Sequence, residues 1–484
     1  MTVQADPSRR RWPLPGLPVL VLACVALAAL SLALPSAPDK DPWSWIIWGR
    51  EVAHLSLDTA AGSSWKPLPV LFTTVFSPFG HAAPDLWLVV ARAGGLLAVL
   101  FAYRIGVRLA GRVAGVVAAI CLLAADWTRY LGNGHIEPLC AGLALGAIDR
   151  HLEGHRHQAV LLGALAALGR VELWPFVALY VIWLFFREGT RRLVVVGLLL
   201  AVPALWLGGD WWGSGDPFHG SSRAAGFQSR SLVRQKTANK PGGVTNAPAP
   251  PSAKESLSNT ASSAADLEIL PVFVAALVGL AYSIRRRERT ALAMAIAAGG
   301  LFVVVAVMAV RGYGGSPRFL FPTVGVVSVL AGVGVASLLR ATGRRAWSVA
   351  LAAVLAAATI PFAVTRVRTD EKSLRVAGSR ARAQEGLDRI IQEVGPSRVR
   401  AAGNPNAPSQ LKDQLAWELG VRLRDVGKTK LPAAVFIYRG PRSSAVGTQP
   451  PTPAQGDRVR LLASAGDWTA LAVTQGDGSP RPRP

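Results

Sequence analysis

The chain has 484 residues, of which 51% are hydrophobic and only 17% charged, and its mean hydropathy is +0.33. A soluble globule needs more polar surface and a disordered chain fewer apolar side chains, so a polytopic membrane protein remains. The net charge of +23 does not point to nucleic acid, because the basic residues fall in short clusters between apolar runs (Arg9 to Arg11, Arg191-Arg192, Arg285 to Arg287, Arg344-Arg345), the positive-inside signature of cytoplasmic loops.

A helix needs about 20 apolar residues to cross the hydrocarbon core. Taken in chain order, membrane helices are predicted at 17–34, 86–109, 112–131, 135–150, 158–169, 173–186, 192–208, 268–284, 290–310, 318–339 and 346–365. The fold class is thus an all-α polytopic membrane protein of about eleven transmembrane helices. A basic N-terminus, 1–16, is placed in the cytoplasm. The inner loops then run from Arg104 to Arg112, Arg150 to His157, Arg187 to Arg192, Arg285 to Arg289 and Arg340 to Arg345, and every one is basic. The first apolar run could instead be a signal peptide cut near Pro35-Ser36-Ala37, which leaves the next loop outside in either case.

The membrane domain 17–365 is expected to carry two long outer loops, 35–85 and 209–267. The first is rich in Trp, Pro and charge, with 67–79 apolar enough to lie along the membrane. The second begins Asp210-Trp211-Trp212 and turns Ser/Ala/Pro/Asn-rich around 235–265, where mobility is expected. The segment 366–475 reads as a small extracytoplasmic α+β domain, with helical pattern at 378–394 and 408–419 and strand-like runs at 433–438 and 468–473. Residues 476–484 read as a disordered Pro/Arg tail. Cys24, Cys121 and Cys140 all lie in apolar stretches and read as small buried hydrophobes.

Chemistry is concentrated on the outer side. Loop 35–85 holds Asp39, Asp41, Glu51 and Asp58 among Trp43, Trp45, Trp48 and Trp65. A carboxylate near aromatic surface at the membrane face can act as general base toward a hydroxyl, and tryptophans suit sugar faces and headgroup depth alike. The competing reading is a solvated loop with an aromatic belt. Glu137, in Gly134-His135-Ile136-Glu137-Pro138-Leu139, is a second acid at a helix start, where it could equally be a cap. Arg170, beside Glu172, and Arg318, in Pro317-Arg318-Phe319-Leu320-Phe321-Pro322, sit at the same face. Guanidinium suits phosphate oxygens, the rival being an internal Arg–Glu pair. Arg92 and Arg311 are weaker cases, and the histidines, His135 and His151 among them, show no metal spacing.

An early acid in the first outer loop, a second acid before Pro-Leu, a basic residue after a short hairpin and a late Pro-Arg-Phe-Leu-x-Pro resemble the GT-C glycosyltransferases. The similarity is to the protein O-mannosyltransferase and aminoarabinose-transferase-like branches, with their actinobacterial relatives, over roughly residues 15–365. The matching pieces are Asp41-Pro42-Trp43, Glu137-Pro138-Leu139, Gly169-Arg170 and Pro317 to Pro322. The resemblance implies a cell-membrane enzyme that takes a sugar, hexosyl or pentosyl, from a polyprenyl-phosphate donor at the outer leaflet. The acceptor is a cell-envelope hydroxyl on a glycan or protein, attacked with inversion. In that scheme Asp41, or its neighbour Glu51 or Asp58, is the base and Glu137 orients the acceptor or the base. Arg170 and Arg318 hold the phosphate, while Trp43, Trp45, Trp65, Lys66, Glu172, Asp210 and Trp211 line the substrate. Several acids in loop one are compatible with a divalent cation, but no ligand set is spelled out. The alternatives are a transporter or flippase for a lipid-linked or charged solute, and a non-catalytic cell-envelope assembly protein.

Overall fold

Proline and positive-φ glycine punctuate the apolar runs and set where each helix begins and ends. The structure, a computed structural model, describes residues 16–187, 192–223, 252–313, 316–343, 345–428, 430–441 and 443–476. Its helices are α1 Leu17–Leu30, α2 Lys40–Ala53, α3 Pro67–Phe76, α4 Ala83–Ala110, α5 Arg112–Leu123, α6 Thr128–Gly132, α7 Glu137–Leu152, α8 Arg156–Gly169, α9 Trp174–Arg187 and α10 Arg192–Ser214. They continue with α11 Ala253–Leu267, α12 Leu270–Arg286, α13 Arg289–Val310, α14 Phe321–Ala341, α15 Arg345–Val394, α16 Pro396–Ala401 and α17 Lys412–Glu418. Prolines stand in the first two positions of α3, α4, α7, α12 and α14, where the missing N–H costs nothing and the fixed φ favours the first turn.

Among the described residues five helical stretches are long and apolar enough to cross a membrane: 67–110, 196–214, 289–310, 317–341 and 346–394. The pair α11 and α12, bent by 96°, makes a sixth if counted as one broken span, and 17–33 and 112–123 are shorter apolar helices. Helices α7, α8 and α9 answer to the expected spans at 135–150, 158–169 and 173–186, but have only 16, 14 and 14 residues.

The two long loops are more ordered than composition suggested. Loop one contains α2 and α3, so the acids of its first half ride on a helix. Helix α3 buries Leu68 and Val70 and turns Leu71 and Val75 outward. Of the stretch 235–265 expected to be mobile, residues up to 251 lie outside the described residues. The remainder forms α11, started by a capping box between Ser252 and Glu255. The tail expected at 476–484 lies outside the described residues apart from Gly476.

Helix α15 is 50 residues long and carries the chain unbroken from the expected last span into the expected helix 378–394. Its membrane half exposes Val349, Val354 and Ile360, as a lipid-facing helix does, and its far end buries Leu387, Ile390 and Ile391 against a sheet. That sheet has four strands, β1 Asn404–Asn406, β2 Ala433–Tyr438, β3 Arg458–Ala465 and β4 Trp468–Thr474, in the order β1-β2-β4-β3. β1 and β2 are parallel and the other pairs antiparallel. Trp417 and Leu423 of this small α+β unit pack into the same core as Trp43, Trp45 and Trp48 of loop one. The unit therefore rests on loop one.

Candidate active site

The charged side chains that come together stand at helix ends, because that is where proline and the change of direction stop the apolar run. Asp39 caps α2, accepting from the Lys40 backbone N–H, and Asp41 lies in that helix's first turn. Lys66 precedes Pro67 at the start of α3. Glu137 opens α7, Arg170 follows α8, and Arg318 sits in the 3-10 turn Pro317–Leu320 before α14.

These residues meet in one cluster. Arg318 Nη1 reaches Asp41 Oδ2 at 3.2 Å and its Nε lies 3.5 Å from Glu137 Oε1. Arg170 Nη1 donates to the same Glu137 oxygen at 3.0 Å, while its Nε and Nη2 grip Glu172 at 3.1 and 2.7 Å. Arg170 also stacks 3.8 Å from the centre of the Phe319 ring. His135 joins the two sides: Arg318 donates to its Nδ1 at 3.0 Å, and its Nε2 faces Asp39 Oδ2 at 3.4 Å. Arg380, from α15, closes the chain against Asp39 at 3.3 Å.

Depth separates the members. Glu137, Glu172, Arg170 and Lys66 are buried, whereas the Asp41 and Arg318 side chains keep 25% and 24% exposure and form the open side. Glu137 Oε2 is buried without a hydrogen bond. Lys66 is unlike the arginines. Its ammonium lies 4.9 Å above the Trp45 ring, and no carboxylate stands at ion-pair distance from it among the described residues. Burial, helped by Arg170 nearby, pulls it down to about 8. Burial would push the Asp41 carboxyl up, but Arg318, Lys66 and His135 outweigh it, with a hydrogen bond from Ser63 at 2.7 Å, and hold it well below the usual range.

The other expected residues divide. Trp45 belongs to the cluster's floor, edge-on to Trp87 at 5.8 Å. Trp65 packs against Trp48 at 5.9 Å and donates to the Leu205 carbonyl. Trp43 faces Trp417 of the α+β unit. Glu51 and Asp58 form a separate network: Glu51 accepts the Asp58 N–H, and Asp58 pairs with Arg424 at 2.7 Å. Neither pairs with the cluster's cations. Asp210 accepts the Gly220 N–H, and Trp211 is 68% exposed. Arg92 donates to Ser31 at the end of α1, and Arg311 is exposed. Ser63, Arg380 and the bridging part of His135 were not foreseen. A metal search by spacing passes over a histidine that bridges an arginine and an aspartate.

For a divalent cation the donor set fits poorly. Asp39, Asp41 and Glu137 are each already covered by an arginine, so an ion would have to displace them. The three-residue group suited to a metal among the described residues, His81, Asp388 and Glu418, lies in a different network.

Neither a protein-family model nor a curated protein matches this chain. Solved structures do. ArnT, the aminoarabinose transferase of Cupriavidus metallidurans, in the apo state is 16% identical with a TM-score of 0.50, covering 94% of this chain and 98% of that one. The same protein bound to undecaprenyl phosphate gives 15% and 0.49, covering 95% and 98%. The oligosaccharyltransferase AglB of Archaeoglobus fulgidus, with an inhibitory peptide and a dolichol-phosphate, gives 15% and 0.41 over 84% of this chain and 64% of that one. The likeness to apo ArnT runs over nearly the whole of both chains, and the chain shares the fold of that structure.

Proposed function

We propose that the chain is an integral-membrane glycosyltransferase that moves a sugar from a polyprenyl-phosphate donor to a hydroxyl of a cell-envelope acceptor, on the outer side of the cell membrane and with inversion. The observation that carries this reading is the cluster itself: two carboxylates, Asp41 and Glu137, held against three cations, Lys66, Arg170 and Arg318, at the ends of apolar helices. Acids serve a proton, cations serve a leaving phosphate, and apolar helices serve a prenyl chain.

The cations divide the work. Arg170 is committed to Glu137 and Glu172 and fixes the shape of the site. Lys66, a buried ammonium with no carboxylate at ion-pair distance among the described residues, and Arg318, at the open side and shared between Asp41 and Glu137, are the cations placed to take the donor phosphate. The positive ends of α3 and α7 add to that preference. Once phosphate engages Lys66 and Arg318, their field on Asp41 falls and its affinity for a proton rises. Donor binding thus arms the base. Asp41 then takes the acceptor's proton, the oxygen attacks the anomeric carbon, and Lys66 and Arg318 hold the polyprenyl phosphate as it leaves. Glu137 Oε2, which has no hydrogen bond and faces His135 Nδ1 at 3.8 Å, is placed to accept from a substrate hydroxyl. Glu51 and Asp58, tied into their own network, are the weaker candidates for the base. The N-terminus lies in the cytoplasm and the α+β unit outside, as the basic inner loops require.

The test is sugar transfer from a polyprenyl-phosphate donor by the purified protein in lipid. Asp41→Asn should lower kcat by about 100-fold or more, and Lys66→Ala should weaken donor binding. Undiminished transfer in both variants removes the site.

A further inference from the structure

The base of the proposed reaction is not isolated from the α+β unit. Ser63 Oγ donates to Asp41 Oδ1 at 2.7 Å, Ser63 Oγ and Ser44 Oγ lie 3.2 Å apart, and Ser44 Oγ donates to Asp413 Oδ2 at 2.7 Å. The Ser63 N–H also donates to Ser44 Oγ at 3.1 Å and fixes the pair, and the Lys40 carbonyl lies 3.2 Å from Ser44 Oγ as a second acceptor. The four side chains come from the start of α2, from loop one and from α17 of the distant α+β unit. Asp413 is buried, and among the described residues Ser44 is the side chain that hydrogen-bonds its carboxyl.

From this unbroken line of oxygens we infer that Asp413 is the proton acceptor behind Asp41, reached through Ser63 and Ser44. The inference rests on the proposed function, since it takes Asp41 as the base. Transfer from a polyprenyl phosphodiester to a hydroxyl breaks one acceptor O–H bond, and with the phosphate monoester leaving as its dianion one proton has to leave the site. It passes to Asp41 Oδ1. Once Asp41 is protonated, the Ser63 hydroxyl turns from Asp41 toward Ser44 Oγ; Ser63 then takes the Asp41 proton while giving its own to Ser44 Oγ, and Ser44 gives its own to Asp413 Oδ2. Each serine breaks one O–H bond and forms one, and Asp413 loses its proton to water between turnovers. The direction becomes downhill once the phosphate leaves and Lys66 and Arg318 act on Asp41 again. Asp41 is held well below the carboxylate range, whereas burial pushes Asp413 up to about 6 against the pull of Lys40 and Arg223, with Asp41 adding to the rise. Lys412 flanks it on its own helix.

Asp413→Asn separates relay from docking, because the amide oxygen still accepts from Ser44 but cannot take a proton. The relay predicts a kcat about tenfold lower with donor KM within about twofold of wild type, and unchanged protection of the α+β unit from protease. It also predicts that Asp413→Glu restores the rate and that Ser44→Ala combined with Asp413→Asn is no slower than either alone. Wild-type kcat should fall as pH drops toward 6, because a protonated Asp413 cannot accept, and the variant should lose that limb. A docking role gives the opposite sign, since protonating a buried acid strengthens the seam. A variant within twofold of wild type, effects that multiply, or a loss that follows protease sensitivity would overturn the relay. A second readout needs no turnover: the infrared band of the protonated carboxyl that Asp413→Asn removes should shift in Ser63→Ala, and a band unmoved by that change also overturns it. If Asp41→Asn transfers sugar normally, the base assignment falls instead.

Discussion

Two buried cations in this site stand in opposite situations. Arg170 satisfies Glu137 and Glu172 together, so Arg170→Ala strips buried Glu172 of its counter-charge among the described residues and leaves Glu137 to Arg318 at 3.5 Å. Such a loss costs about 3–5 kcal/mol, and the variant should fail by melting early. Lys66 has no carboxylate at ion-pair distance among the described residues, and its burial disfavours the charge. Lys66→Met should therefore keep or raise the melting temperature while weakening donor binding by about tenfold or more, as expected where a site holds charge at the expense of stability. Thermal melting with and without a polyprenyl phosphate checks both. A Lys66→Met protein that melts early and still binds donor would show that the ammonium is structural. The sequence pointed to these residues because prolines beside Glu137, Lys66 and Arg318 mark helix starts. It did not point to Ser44, Ser63 or Asp413, since nothing local ties position 44 to position 413 until the α+β unit docks.

At the scale of elements, small residues decide how closely helices approach. A side chain at Gly334 would meet the Ala275 carbonyl oxygen at 2.0 Å, and one at Gly279 would meet the Leu330 carbonyl at the same distance, so α12 and α14 touch backbone to backbone. The glycines in apolar runs had suggested close packing of this kind, and the partners came only with the structure. Gly334→Leu should cost about 3 kcal/mol or more through overpacking. Gly299, where an added Cβ meets open space, provides the matched control in a neighbouring helix. Melting temperatures of the two variants in the same detergent make the comparison, and equal losses would contradict the backbone contact. The apolar helices were legible from hydropathy, α2 of loop one was not, and neither was α11. Its Ser/Ala/Asn composition hid it, although Ser252 and Glu255 carried a capping signal that apolar periodicity does not weigh.

At the scale of the whole molecule, the α+β unit is latched onto loop one through buried acids. Arg50 donates to the Trp417 and Val421 carbonyls at 3.1 and 2.9 Å and lies over the Trp417 ring. Gln384 donates to the Pro38 carbonyl, and Asp58 holds Arg424. At the same seam Glu418 faces Asp388 of α15, Arg50 of α2 and His81 of the turn before α4. Burial, then the neighbouring Asp388, raises Glu418 from 4.5 to about 8, and burial raises Glu51 from 4.5 to about 7. Both acids hold a proton more tightly docked than released. Their contribution to the docked state is whole below pH 4.5 and is lost as pH rises toward 8. Protection of the α+β unit from protease should therefore decline from pH 5 to pH 9. Glu418→Gln, which cannot ionise, should flatten most of that decline, and Arg50→Ala should weaken protection at every pH. A slope of the opposite sign, or one that Glu418→Gln leaves intact, would mean that the seam is held by its arginine contacts alone and that these buried carboxyls do not sense pH.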